Sequence, residues 1–150
     1  MKKILYVDMD NVLVDFVSAF PRVNPAMLSE YEGRVDDIPG LFALMDPIVG
    51  AIEAYEELAS HFDTYILSTS PWDNPSAWSD KLAWVKAHLG THAHKRLILS
   101  HHKNLNLGDF LVDDRTKHGA DLFRGEHILF GSPEFPDWTV VKDYLKRHSR

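Results

Sequence analysis

The chain has 150 residues, no cysteine, and 16 basic against 22 acidic side chains, a net charge of −6 with histidine neutral. A domain of this length buries roughly 68–70% of its unfolded surface, so it can hold a core without disulfides, and thiol catalysis and thiolate metal sites are excluded. The acidic balance also disfavours a broad nucleic-acid-binding face.

In chain order, Ile4-Leu5-Tyr6-Val7 predicts a buried strand that ends in Asp8 and Asp10. The segment over about 18–45 is broken by Pro21, Pro25, Gly33, Pro39 and Gly40 and reads as an insertion after that strand. Because it also carries Phe20, Tyr31, Leu41 and Phe42, it is expected to lie over the site as a small cap and not as a plain surface excursion. Asp46-Pro47 predicts an N-cap and first-turn proline, followed by the helical stripe Ile48, Ile52, Tyr55, Ala59 and Phe62. Strands are predicted over 64–67, 96–99, 110–112 and 127–130. Between the first two, Trp78, Leu82, Val85 and Leu89 form a second stripe stopped by Gly90. A last helix from Asp137 is expected to bury Trp138, Val141 and Leu145. Strands alternating with helices predict one α/β domain over 1–150: a doubly wound, five-stranded parallel sheet with helices on both faces.

Three polar clusters fall at predicted strand ends: Asp8 with Asp10, Ser68-Thr69-Ser70, and Asp113 with Asp114. In open α/β sheets that edge is where ligands bind. Four carboxylates in one crevice require a compensating cation, and an all-oxygen donor set without cysteine selects Mg²⁺ over zinc. Any single aspartate would read better as a cap or turn residue; two doublets, each directly after a buried strand, weaken that alternative. The nine histidines, among them His88, His92, His94, His101 and His102, fix no tetrahedral set and read mostly as solvated surface.

DMDNVLVDF over 8–16 resembles the DxDx(V/T) nucleophile motif of the haloacid-dehalogenase-like phosphohydrolases, and LVDDR over 111–115 resembles their acidic fourth motif. ILSTSP over 66–71, DKLAWV over 80–85 and LVDDR resemble more narrowly the 5′(3′)-deoxyribonucleotidase branch. The resemblance implies that Asp8 attacks phosphorus to form an aspartyl phosphate and that Asp10 protonates the leaving oxygen and then deprotonates water. Thr69, Ser70 and Lys81 would hold the phosphoryl group, with Lys103 as second choice for the lysine. Asp8, the backbone carbonyl of Asp10 and Asp114 would bind Mg²⁺, with Asp113 in support and Arg115 paired to one of the two. Either Asp113 or Asp114 can be the direct ligand on sequence alone. Phe16 and Trp72 are candidate walls of a base pocket, with core packing an equal reading for Phe16.

The chain departs from that pattern at Asn11, where the branch commonly has glycine, at His101, where an arginine is expected, and in its shorter cap. The implied function is a Mg²⁺-dependent nucleotidase acting on nucleoside monophosphates. The alternatives are a phosphatase of another small phosphomonoester such as a sugar phosphate, and a receiver-like phospho-acceptor signalling module. Dehalogenation, which needs neither Asp10 nor a metal doublet, and polynucleotide end processing, which the net charge opposes, rank below these. No apolar run approaches the ~20 residues of a membrane span, and acidic residues come too early for a signal peptide. A cytoplasmic protein with a small-molecule partner, and neither nucleic acid nor membrane, is therefore expected.

Overall fold

In a computed structural model describing residues 1–150, the first half of the chain forms β1 (Ile4–Val7), β2 (Val14–Asp15), α1 (Pro25–Glu30), β3 (Asp46–Pro47), α2 (Ala51–His61) and β4 (Asp63–Ser68). The second half forms α3 (Pro75–Leu89), β5 (Leu97–Leu99), β6 (Phe110–Asp113), β7 (Glu126–Leu129) and α4 (Trp138–Arg147). Five strands make one sheet in the order β5-β4-β1-β6-β7, with every pair parallel. The doubly wound α/β expectation therefore holds, and the first strand occupies the centre. Its residues read as a continuous apolar run because both faces are covered.

Alternation along the strands divides the core. Leu5, Val7, Ile66, Val112 and Ile128 point into a cluster of 30 buried residues that also receives the buried faces of α2, α3 and α4. Tyr6, Leu67 and Leu111 point the other way, into a cluster of five completed by Ala120 and Phe123. Helical cover is thus unequal. The second face has only short 3-10 turns, at Lys103–Leu105 and Ala120–Leu122.

The insertion shares the main core: Ala19, Ile38, Leu41, Phe42 and Met45 belong to the same cluster as Leu5 and Val7. Apart from α1, capped by Asn24 through its Oδ1 and the Ala26 N–H at 2.9 Å, it consists of 3-10 turns, as its prolines and glycines dictate. Buried Asn74, just before α3, clamps it by donating from Nδ2 to the carbonyls of Asp36 at 2.9 Å and Ile38 at 3.0 Å. Trp84 Nε1 adds a bond to the Met45 carbonyl at 3.0 Å.

Two local expectations are corrected. Asp46-Pro47 does not start a helix but pairs antiparallel with Val14-Asp15 in a two-stranded ribbon, and the next amide, Ile48 N–H, donates to the Leu13 carbonyl at 2.8 Å. The helix begins three residues later, after Gly50 turns the chain with a φ of 80°. In α3 the buried stripe is Ala77, Lys81, Trp84, Val85 and Leu89, while Leu82 is exposed and Trp78 half-buried. A rule that keeps lysine out of a buried face misplaces this stripe by a residue. No helix is long and apolar enough to cross a membrane.

Asn74→Ala leaves the Asp36 carbonyl without a donor and the Ile38 carbonyl with the Leu41 N–H alone, at a cost of about 1–3 kcal/mol. Thermal denaturation should show a melting temperature several degrees lower; an unchanged value would mean that the clamp contributes nothing. On the surface, Lys142 at 3.0 Å and Lys146 at 2.5 Å hold the Glu57 carboxyl down at about 2, from an ordinary 4.5. A carboxyl depressed in the folded state stabilises above its unfolded value and loses that contribution as pH falls through the folded one. The melting-temperature gap between wild type and Glu57→Gln should therefore be constant near neutrality and shrink between pH 4.5 and 2.

Candidate active site

The site lies at the carboxyl end of β1, where the neighbouring strands also end. Asp8 continues the ladder through its N–H to the Val112 carbonyl at 2.9 Å. The chain then turns tightly: the amides of Val12, Leu13 and Val14 all donate to the Met9 carbonyl, and Asn11 takes a φ of 60°. Asparagine tolerates that left-handed conformation better than most residues, so the departure from glycine leaves the turn intact. Trp138 of α4 fixes the turn from below with an indole N–H to the Val12 carbonyl at 2.7 Å.

Asp8, Asp113 and Asp114 bring carboxylate oxygens within 4.8 Å of one another. Burial, and secondarily the charge of Asp8, raise both Asp113 and Asp114 above the ordinary carboxylate range. Such a trio of hard oxygens fits a divalent cation. The two aspartates of the doublet differ in their other partners. Asp113 has both oxygens engaged, Oδ2 by Lys103 Nζ at 2.5 Å and Oδ1 by the Arg115 N–H at 2.9 Å. Asp114 has only a 4.0 Å ion pair with Arg115, so it is the freer ligand.

Two lysines enter this acidic cluster, both nearly inaccessible. Lys103 is 3% exposed and bridges Asp8 Oδ1 at 3.0 Å and Asp113 Oδ2. Opposing charges outweigh its burial and raise its pKa. Lys81 is 0% exposed and lies against Ser68 Oγ at 2.7 Å, the Thr69 carbonyl at 2.9 Å and Asp10 Oδ2 at 3.4 Å. The geometry therefore places Lys103, and not Lys81, on the Asp8 carboxylate. Asp10 is raised chiefly by burial, with Lys81 opposing.

Thr69 donates its hydroxyl to the Ser100 carbonyl at 2.7 Å, whereas buried Ser70 has no partner for its hydroxyl. Thr69 and Ser70, with the four aspartates and Lys103 but not Lys81, floor or rim a cavity of about 670 Å³ lined also by Asn11, Phe16, Val35, Asp36, Trp72, His101, Arg115, Lys117 and His118. Phe16 both lines the cavity and packs edge-on against Phe20 and Phe42, at centroid distances of 5.7 and 5.9 Å. Trp72 is exposed and meets His101 at 5.9 Å. The histidines make no metal-capable group: Asp8, Asp113 and Asp114 form the one cluster of that kind. Sequence placed Ser68 in a strand-end cluster and Phe42 in the cap but assigned neither a part in the site, and it did not single out Ser100. Their parts depend on what folds against them, and only the position of Ser68 at a strand end offered a signal.

The chain is similar to known proteins over most of its length. Residues 35–143 match the family "5′ nucleotidase, deoxy (Pyrimidine), cytosolic type C protein". A Vibrio phage KVP40 protein, provisionally named a 5′(3′)-deoxyribonucleotidase, is 58% identical over 99% of this chain and 88% of its own length. The human cytosolic-type 5′(3′)-deoxyribonucleotidase is 32% identical over 83% of this chain and 77% of its own. The 5′(3′)-deoxyribonucleotidase of Bacillus subtilis is 26% identical over 89% of this chain and 87% of its own. With the aspartates gathered at the end of its central strand and a match over most of its length, the chain belongs to the 5′(3′)-deoxyribonucleotidase family of phosphoric monoester hydrolases.

Proposed function

We propose that the chain is a Mg²⁺-dependent phosphomonoesterase that hydrolyses nucleoside monophosphates through an aspartyl phosphate on Asp8. The observation that carries this reading is the convergence, under one cavity, of Asp8 with Lys103 on one of its oxygens, the freer carboxylate Asp114 beside it, and a second cavity-lining carboxylate, Asp10, two residues on. The names of the family and of its relatives support the substrate class. The cavity volume lies within the roughly 300–1,000 Å³ typical of small-molecule sites.

An Asp8 oxygen attacks phosphorus and the bond to the sugar oxygen breaks, while Asp10 gives that oxygen its proton. Asp10 then takes a proton from water as the water attacks the phosphorus of the aspartyl phosphate, which releases inorganic phosphate and frees Asp8. Lys103 orients Asp8 and offsets the negative charge of the incoming phosphoryl group. Ser70, whose buried hydroxyl lacks a partner, offers its O–H to a phosphoryl oxygen, and Thr69 does so by turning its hydroxyl from the Ser100 carbonyl. Asp8, the Asp10 carbonyl and Asp114 would hold the metal, with Asp113 backing Lys103. When bound, Mg²⁺ shields the phosphoryl oxygens and the carboxylates from one another. The insertion is read as the cap of a single domain, since Phe16, Gly33, Val35 and Asp36 come from it or its approach. Phe16 and Trp72 as aromatic walls favour a nucleobase over a bare sugar.

A panel of nucleotides and sugar phosphates assayed with Mg²⁺ should show nucleoside monophosphates leading, and activity lost in EDTA should return with Mg²⁺. Sugar phosphates well ahead would replace the substrate class with a small non-nucleotide phosphomonoester, and full turnover in EDTA would remove the metal. Asp8→Asn should fall to background, and turnover like wild type would sink the mechanism. Lys103→Ala should lower kcat by about 10²–10³-fold, the range for losing one preorganised charge contact; an effect on Lys81→Ala alone would reverse the assignment of the two lysines.

A further inference from the structure

We infer that Lys81 is a positioning residue for Asp10, holding that carboxylate towards the cavity, and that Phe42 of the insertion holds Lys81 in turn. The inference rests on the phosphomonoesterase reading, in which Asp10 carries the proton.

An ammonium group has three N–H donors. All three of Lys81 have acceptors: Ser68 Oγ, the Thr69 carbonyl and Asp10 Oδ2. With 0% exposure, Lys81 has neither a free donor nor open access for a phosphoryl oxygen. Dependence runs in the other direction as well. Asp10 Oδ1 has no partner, so Lys81 is the one side-chain or backbone donor to that carboxylate. A buried ammonium without a counter-charge costs several kcal/mol, and Asp10 is the carboxylate that Lys81 pairs with. Each charge thus fixes the other. On the far side, Lys81 Nζ lies 4.9 Å from the centroid of buried Phe42, a cation–π contact, and Phe42 packs against the cavity-lining Phe16. The two lysines divide the work: Lys103 serves the nucleophile and Lys81 the proton carrier.

Leaving-group dependence tests this. A nucleoside hydroxyl leaves poorly and needs the Asp10 proton, whereas p-nitrophenolate leaves without it. Lys81→Met should lower kcat for a nucleoside monophosphate by about 10²-fold, the low end of a general-acid contribution, with KM changed less than about threefold. The pre-steady-state burst of p-nitrophenol from p-nitrophenyl phosphate, which reports transfer to Asp8, should slow by less than about fivefold. In an Asp10→Asn background, Lys81→Met should add less than about twofold. Phe42→Leu, which keeps the lysine, should show the same leaving-group bias at a few-fold level; it decides the matter should Lys81→Met not fold. Equal losses on both substrates, additive losses in the double variant, or a rise in KM alone would overturn the role of Lys81. Wild-type turnover in Asp8→Asn would instead remove the underlying mechanism.

Discussion

Negative charge crowded at one edge of the sheet is the constraint on which the rest of the structure depends. Asp8, Asp10, Asp113 and Asp114 all face one cavity, and like charges at such separations cannot all stay ionised in a partly desolvated crevice. The fold answers with two ammonium groups buried from opposite sides. Lys103 comes from a 3-10 turn on the thin face of the sheet, and Lys81 from the inward stripe of a helix on the thick face. A charge buried without its partner costs several kcal/mol, so each lysine commits its element to the aspartates it meets.

That arrangement explains features that are otherwise odd. An amphipathic helix would ordinarily turn Leu82 inward and Lys81 out, yet the register of α3 is set the other way, with Trp84 reaching back to the Met45 carbonyl. The insertion is not a detachable lid. Its apolar residues share the main core, Asn74 fixes it to the start of α3, and Phe42 presses on Lys81. Phe16 and Val35 both pack against that core and line the cavity, an economy suited to 150 residues. Covering the second sheet face with turns in place of full helices serves the same end.

Much of this was legible in the sequence. All five sheet strands, the three longer helices α2, α3 and α4, and the acidic strand ends could be read from runs of apolar residues and from capping chemistry, because these signals are local, whereas the short α1 in the insertion was not foreseen. The ribbon at Asp46-Pro47 was not legible: its partner is Val14-Asp15, some thirty residues away, and an aspartate before a proline looks the same at a helix start. Nor was the burial of Lys81, since hydropathy assigns lysine to water and only a distant carboxylate reverses that preference. Phe16 shows the same limit, being both a packed ring and a cavity wall.

The sequence by itself determined the chemistry available: carboxylates in doublets and hydroxyls, each attached to a strand end by the apolar run before it, together with lysines and no thiol. Tertiary structure alone decided the pairing. Which lysine meets which aspartate, which aspartate of the doublet is left freer for a cation, and which ring backs which charge depend on contacts across 10 to 95 residues of chain. Such contacts follow from strand order and helix register, which no local pattern encodes.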